Sequence, residues 1–349
     1  MAVELHKLPL AKRLAYIERI FIRHASIVLA DDTLGILTDV PSGRREATLG
    51  YIRGYSRCGK SETLKRHIEK LTGLPVQKKL EQLIGGNGHL VVYVELSSGD
   101  TPLGVAQRIL GLFEDLKLHR RNTAVPQDRE RDAIRRAVDI SNDNGVTLLA
   151  LDEVQNLFRT GSAGDIAKTA SMLISMQNAS GFPIALTASP RLQELFDGND
   201  AVQERAGPSM FLRPLPFRDG DEQEVFRGLV QKFEEKLPYL KGPGLFSDRW
   251  LPATFFATRG RVGRLAKLAH AATTVAFKDA AQGNNPANMT LAHVRRGFEL
   301  LHGSDPRMLG VNPFDGKALP KIPLSVEEAD AITPKTTKKS SRGRSLLDE

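Results

Sequence analysis

The sequence predicts an α/β fold: a three-layer domain built on a parallel sheet, followed by a small helical domain. Three observations carry that prediction. Short, near-continuous apolar runs alternate with helical stretches from about residue 46 to residue 218. Parallel strands buried on both faces read this way, because none of their positions faces water. A glycine-lysine loop, Gly54-Tyr55-Ser56-Arg57-Cys58-Gly59-Lys60-Ser61, stands between the first strand and the first helix of that series. Beyond Pro216-Phe217 the strand-like runs stop, and only helical spacing continues.

Residues 1–45 form an N-terminal helical segment. Leu14, Ile17, Ile20 and Phe21, then Ile27, Val28, Leu34 and Leu37, recur at helical spacing. They predict one or two helices packed against the α/β domain, ended by Pro41-Ser42-Gly43, with Arg44 and Arg45 as a solvated linker. Ala47–Arg53 reads as the first strand, and Glu62–Ile68 as the amphipathic helix after the loop. His89–Leu96 is the second strand, with Gly85-Gly86-Asn87-Gly88 as its turn. A long charged helical region, Thr101–Asp143, leads to the third strand, Val146–Glu153, and the fourth is Phe182–Ser189. The fifth, Ser209–Phe217, contains Pro214 and Pro216, which place it at an edge. In the helical domain, residues 219–302, one helix covers 221–237 and two or three more cover Ser247–Phe298. Residues 303–349 hold few apolar side chains, and read as a disordered or extended basic tail.

The loop has the form GxxxxGK[ST], and each residue type has a reason. Gly54 and Gly59 let the backbone turn its N–H groups toward phosphate oxygens, and the following helix adds its positive end. Lys60 reaches the β- and γ-phosphates, and Ser61 sets its hydroxyl on Mg²⁺. Gly54 to Ser61, with Glu62, are therefore the candidate cradle for ATP and Mg²⁺. About 90 residues on, Leu148–Glu153 (LLALDE) brings two carboxylates to a strand end. Asp152 is the second Mg²⁺ candidate and Glu153 the residue that orients the attacking water. Ser189 ends the fourth strand, either beside that water or as an ordinary strand-end serine. Arg205 has two readings, an arginine finger directed at a neighbouring subunit's γ-phosphate or a surface ion pair. Arg264 is the candidate phosphate-sensing arginine of the helical domain, with Arg261 as the alternative.

The 349 residues carry a formal net charge of +8, which favours a polyanionic partner. The excess is localised, since residues 241–302 hold nine Lys or Arg against three Asp or Glu. Lys117, Arg120 and Arg121 are the named candidates for DNA phosphates, a solvated helix face being the alternative. A single cysteine, Cys58, excludes an intramolecular disulfide framework. No signal-peptide core and no bilayer-length apolar run is visible, so a cytoplasmic location without a membrane partner is expected.

The stretches GYSRCGKS, LLALDE, ALTASP, Arg205, KFEEKLP (Lys232–Pro238) and TRGRVGRLAKLAHAA (Thr258–Ala272) together resemble the TniB family of transposition ATPases. These are AAA+ proteins related in role to TnsC and MuB. The likeness covers roughly residues 10 to 302. It departs from the family at Ala188-Ser189-Pro190, usually Gly-Thr-Pro, and at Glu204–Phe211, which lacks the usual Arg-Phe pair. The resemblance implies an AAA+ P-loop domain over 46–218 and a helical lid over 219–302. It further implies an ATPase whose ATP-bound copies assemble as a ring or filament on double-stranded DNA, recruit and activate a transposase, and are disassembled by hydrolysis. A target-selection subunit is a further implied partner. The alternative is another DNA-associated AAA+ ATPase of the initiator or loader type.

Overall fold

Two helices open the chain, α1 (Leu10–Glu18) and α2 (Ala25–Thr38). They belong to different parts of the computed structural model, which describes residues 4–39, 48–115, 129–158, 161–197, 199–280, 285–302 and 311–319. One compact unit is Phe21–Arg213, and the other combines Met1–Ile20 with Pro214–Glu349.

In the first unit the strands are β1 (Leu49–Gly54), β2 (Glu81–Gly86), β3 (His89–Glu95), β4 (Leu148–Asp152), β5 (Ile184–Ala188) and β6 (Ala206–Leu212). They form one sheet in the order β2-β3-β4-β5-β1-β6. All neighbours are parallel except β2 and β3. The helices are α2, α3 (Lys60–Thr72), α4 (Pro102–Asp115), α5 (Arg129–Asp143), α6 (Ala163–Ala179) and the short α7 (Leu192–Asp197) and α8 (Asp200–Glu204). Side chains alternate across the sheet with period two. Val91, Tyr93, Leu148 and Ala150 pack with Leu34, Leu37, Leu64 and Ile68 of α2 and α3. Val92, Val94, Leu149 and Leu151 pack with α4, α5 and α6 through Ile109, Phe113, Val138 and Leu173. Each of these fully buried large side chains contributes about 1.5–3 kcal/mol before entropy is counted. Two apolar faces on one sheet make the three layers.

The structure corrects the sequence reading at several elements. Gly85–Gly88 was expected to be only a turn, yet Glu81–Gly86 is a strand, hairpinned to β3 through Asn87 and Gly88 with φ of 50° and 80°. That positive-φ pair is the turn that matches strand twist. The last strand begins earlier than expected, at Ala206, and ends at Leu212, before Pro214 and Pro216. It does lie at an edge, and its register with β1 shifts near Pro208, where the missing N–H is tolerated. Lys117, Arg120 and Arg121 lie outside the described residues.

The second unit contains α1 with α9 (Gly220–Glu235), α10 (Leu251–Thr258), α11 (Val262–Asp279) and α12 (Leu291–His302). Here α1 departs from expectation: it belongs to this unit and packs on α11. Arg13 explains the preference. Its guanidinium is wholly buried, donates to the carbonyls of His6, Leu8 (2.9 Å) and Pro286 (2.6 Å), and lies over Tyr239 and Phe277. The expected extended tail is also corrected over residues 311–319. Phe314 is buried, 6.0 Å from Phe298 and 6.5 Å from Trp250. Asn312 caps that turn by accepting from the Phe314 N–H at 3.0 Å. Among the described residues no helix is long and apolar enough to cross a membrane.

Candidate active site

β1, β4 and β5 run parallel, so their C-terminal ends, and the loops leaving them, share one edge of the sheet. The loop Gly54–Ser61 leaves β1 there. A Cβ on Gly54 would overlap the carbonyl oxygen of Leu212 on the neighbouring strand, so only glycine admits that approach. Gly59, with φ of 100°, sits at the N-terminus of α3 in a conformation that other residues adopt only under strain. The loop therefore turns straight into a helix whose free N–H groups and dipole face the concave side. Ser56 and Arg57 are exposed at its tip, Tyr55 is half-buried, and Cys58 is buried in the α2–α3 core as a small apolar contact. Lys60 is buried, its Nζ 3.1 Å from the Tyr55 carbonyl oxygen. Glu62 pairs with Arg66 one turn along, at 2.8 Å.

Asp152 is wholly buried and surrounded by hydroxyls. Ser61 Oγ donates to its Oδ1 at 2.9 Å, Thr187 Oγ1 donates to the same oxygen, and the Tyr93 hydroxyl lies 3.0 Å from Oδ2. Burial, and then the charges of Asp152 and Glu95, hold the Tyr93 phenol far above its ordinary pKa, so it remains a donor. Ser61 and Asp152 thus offer two oxygen ligands to one point. That fits a small hard cation such as Mg²⁺, which takes few protein ligands and completes its shell with phosphate oxygens and water. Groups of three or more metal-ligating side chains are absent among the described residues.

Glu153 follows β4 with φ of 61°, a left-handed residue that turns its side chain away from the strand's alternation. Its N–H donates to Thr187 Oγ1 at 3.2 Å. Its carboxylate accepts from the Gln155 side-chain amide, while Gln155 Oε1 accepts from the Ser189 N–H at 2.8 Å. Ser189 thus joins the site through its backbone, and its own buried hydroxyl has no hydrogen-bond partner among the described residues. Thr187, Gln155 and Tyr93 are what reasoning from sequence left without a defined role. For Tyr93 and Thr187 the signal, placement on the strands beside Asp152, becomes legible only once the strand register is known.

Arg205 stands apart from this group, and Arg264 lies in the other unit. Arg205 caps the C-terminus of α8, with Nη1 on the Ala201 carbonyl at 3.0 Å and its own carbonyl held by Gln177. Ala206 pairs with Leu49 and Leu212 with Gly54, so Arg205 lies at the far end of β6 from the loop. Five strand residues separate them, roughly 17 Å. Arg264 belongs to the second unit, in the first turn of α11, with its N–H on the Arg261 carbonyl at 2.9 Å.

A family model described as an AAA domain matches residues 44–196. The chain is also similar in structure to the ORC2 protein of Aeropyrum pernix, solved as ADPNP–ADP complexes. That match has a TM-score of 0.53 at 14% identity, over 82% of this chain and 69% of that one. The fold is an AAA+ P-loop fold. The ORC1 protein of Aeropyrum pernix in complex with DNA aligns with this chain at a TM-score of 0.54, 14% identity, and 83% and 68% coverage. Drosophila ORC bound to DNA gives 0.51, 12%, 86% and 67%. Comparison with curated proteins gave no match. An AAA+ fold implies nucleotide binding, and Ser61 and Asp152 meet at this loop.

Proposed function

We propose that the chain is an ATP-hydrolysing regulator of transposition that binds double-stranded DNA. The observation that carries the ATPase part is the joined arrangement of Ser61, Asp152, Thr187, Glu153 and Gln155. When bound, Mg²⁺ neutralises phosphate charge and fixes the γ-phosphate for in-line attack. Lys60 binds the phosphates, Ser61 and Asp152 hold the cation, Glu153 orients the water, and Ser189 lies next to that group. Arg205, so far from its own loop, serves a neighbouring copy's nucleotide, which makes assembly a condition of full turnover. Arg264 senses the nucleotide from the helical unit.

The TniB-like motifs support the transposition reading, in which ATP-bound copies coat duplex DNA, recruit the transposase and leave on hydrolysis. Cytoplasmic location and DNA contacts by Lys117, Arg120 and Arg121 belong to the same proposal. A second reading, an initiator or loader, is favoured by the fold likeness to ORC proteins, two of them solved with DNA.

The test is phosphate release with and without duplex DNA. Lys60→Ala abolishes ATP binding, whereas Glu153→Gln keeps it and traps the ATP state on DNA. A Glu153→Gln protein that turns over at the normal rate ends the catalytic assignment. DNA affinity falls with salt at a slope of about −0.9 per neutralised phosphate, and replacing Lys117, Arg120 and Arg121 with Ala flattens it. Arg295→Ala/Arg296→Ala is the comparison for the basic helical unit. Co-purification of the ATP-bound protein with a transposase separates the first reading from the second.

A further inference from the structure

Ser61 and Lys65 stand one turn apart on α3, and each reaches a carboxylate at a strand end. Ser61 Oγ is 2.9 Å from Asp152 Oδ1, and Lys65 Nζ is 3.1 Å from Glu95 Oε2. One side chain links the two carboxylates. The Tyr93 hydroxyl lies 3.0 Å from Asp152 Oδ2 and 3.0 Å from Glu95 Oε2. The chain of contacts therefore leaves α3 at Ser61, crosses β4 and β3, and returns to α3 at Lys65.

Register explains the meeting. Glu95 pairs with Asp152 and Tyr93 with Ala150 across β3 and β4. Period-two alternation then puts Tyr93, Glu95 and Asp152 on the face that α3 covers. Packing alone does not call for the phenol, because Phe would fill the same space in this wholly buried position. A hydroxyl buried there is costly unless its hydrogen bond is used. A phenol has one proton to give. The Lys65 ammonium already donates to the Glu95 oxygen that faces the phenol, so the proton is directed to Asp152. Oδ2 is then tied down, and Oδ1 is presented beside Ser61 Oγ.

We propose that Tyr93 is a positioning residue for the divalent cation: it anchors Asp152 so that one carboxylate oxygen faces the metal, with Glu95 and Lys65 supporting it. This rests on the reading of Ser61 and Asp152 as the cation's holders. Partners that orient a ligating carboxylate typically alter metal affinity by about 10–100-fold.

The experiment titrates Mg²⁺ into the full chain with a fluorescent mant-ATP, starting from EDTA. In the wild type, Mg²⁺ tightens nucleotide binding. Tyr93→Phe keeps the EDTA affinity within about twofold but raises the half-saturating Mg²⁺ about tenfold. Lys65→Met, at a partly exposed position that leaves the core untouched, raises it as well by freeing Glu95 to compete for the phenol proton. The double variant is no worse than Tyr93→Phe alone, because the two act through one hydroxyl. Half-saturating Mg²⁺ within twofold of wild type in both single variants overturns the proposal. So does a Lys65→Met effect that adds in full to that of Tyr93→Phe. A wild type whose nucleotide affinity ignores Mg²⁺ sinks the Ser61–Asp152 reading itself, and this one with it.

Discussion

Replacing Thr187 by Val removes one hydroxyl from the centre of the site while keeping the side chain's shape. Thr187 is wholly buried on β5, donates to Asp152 Oδ1 and accepts the Glu153 N–H at 3.2 Å. Losing a hydrogen bond to a carboxylate costs about 1.5–3 kcal/mol, and leaving the amide without an acceptor costs about 1 kcal/mol more. The extra apolar carbon returns about 0.8 kcal/mol. Asp152 keeps Ser61 and Tyr93, so its charge is not stranded, and the net loss is about 2–3 kcal/mol. Catalysis should suffer too, because Glu153 holds a left-handed conformation that its N–H bond helps to fix. A kcat at least tenfold lower, about 1.4 kcal/mol in the barrier, is expected with KM for ATP changed less than threefold. Urea unfolding followed by circular dichroism reads the stability, and steady-state phosphate release reads the turnover. Thr187→Ser restores the hydroxyl and should recover most of the rate. An unchanged urea midpoint together with a kcat within twofold of wild type would refute the reasoning.

Three further outcomes are expected. His67 links α3 to α2 through Asp31 Oδ1 at 3.0 Å and Thr38 Oγ1 at 3.2 Å, and burial lowers its pKa more than Asp31 raises it. The unfolded chain then binds the extra proton below pH about 6.5, so stability falls as pH drops through that value. His67→Gln should flatten the change in Tm between pH 7.5 and 5.5, leaving the part due to His24 and His293, which burial shifts the same way. An equally steep profile in the variant would remove His67 from the account. Arg205→Ala should lower ATPase activity mainly in the assembled state, and mixing it with Lys60→Ala protein should recover some turnover. Equal defects at high dilution would assign Arg205 a local role. Phe314→Ala should cost the helical unit about 3–5 kcal/mol and red-shift the emission of Trp250, the only tryptophan. Unchanged emission and melting would mean that the turn at residues 313–315 does not support that core.

The loop around Lys60, the carboxylates Asp152 and Glu153 and the apolar strands β3, β4 and β5 were legible in the sequence. Each is a local pattern, spaced by backbone geometry that a few neighbouring residues impose. Helical spacing after Pro216-Phe217 was legible as well, and among the described residues the elements there are helices. The hairpin of β2 went unread although Asn87-Gly88 marks it, because the strand is short and only Gln82 and Ile84 are buried in it. No local pattern foretells the burial of Arg13 or Phe314. Only folding brings Pro286 to the guanidinium and Phe298 to the ring. Tertiary structure alone decided the surroundings of Asp152. Tyr93, Ser61 and Thr187 lie on different elements, and register between strands, which no local spacing specifies, sets them around one carboxylate. It also decided that Arg205 stands a full strand's length from the loop of its own chain. Chain order cannot reveal this, since distance along a sheet depends on which strand ends meet.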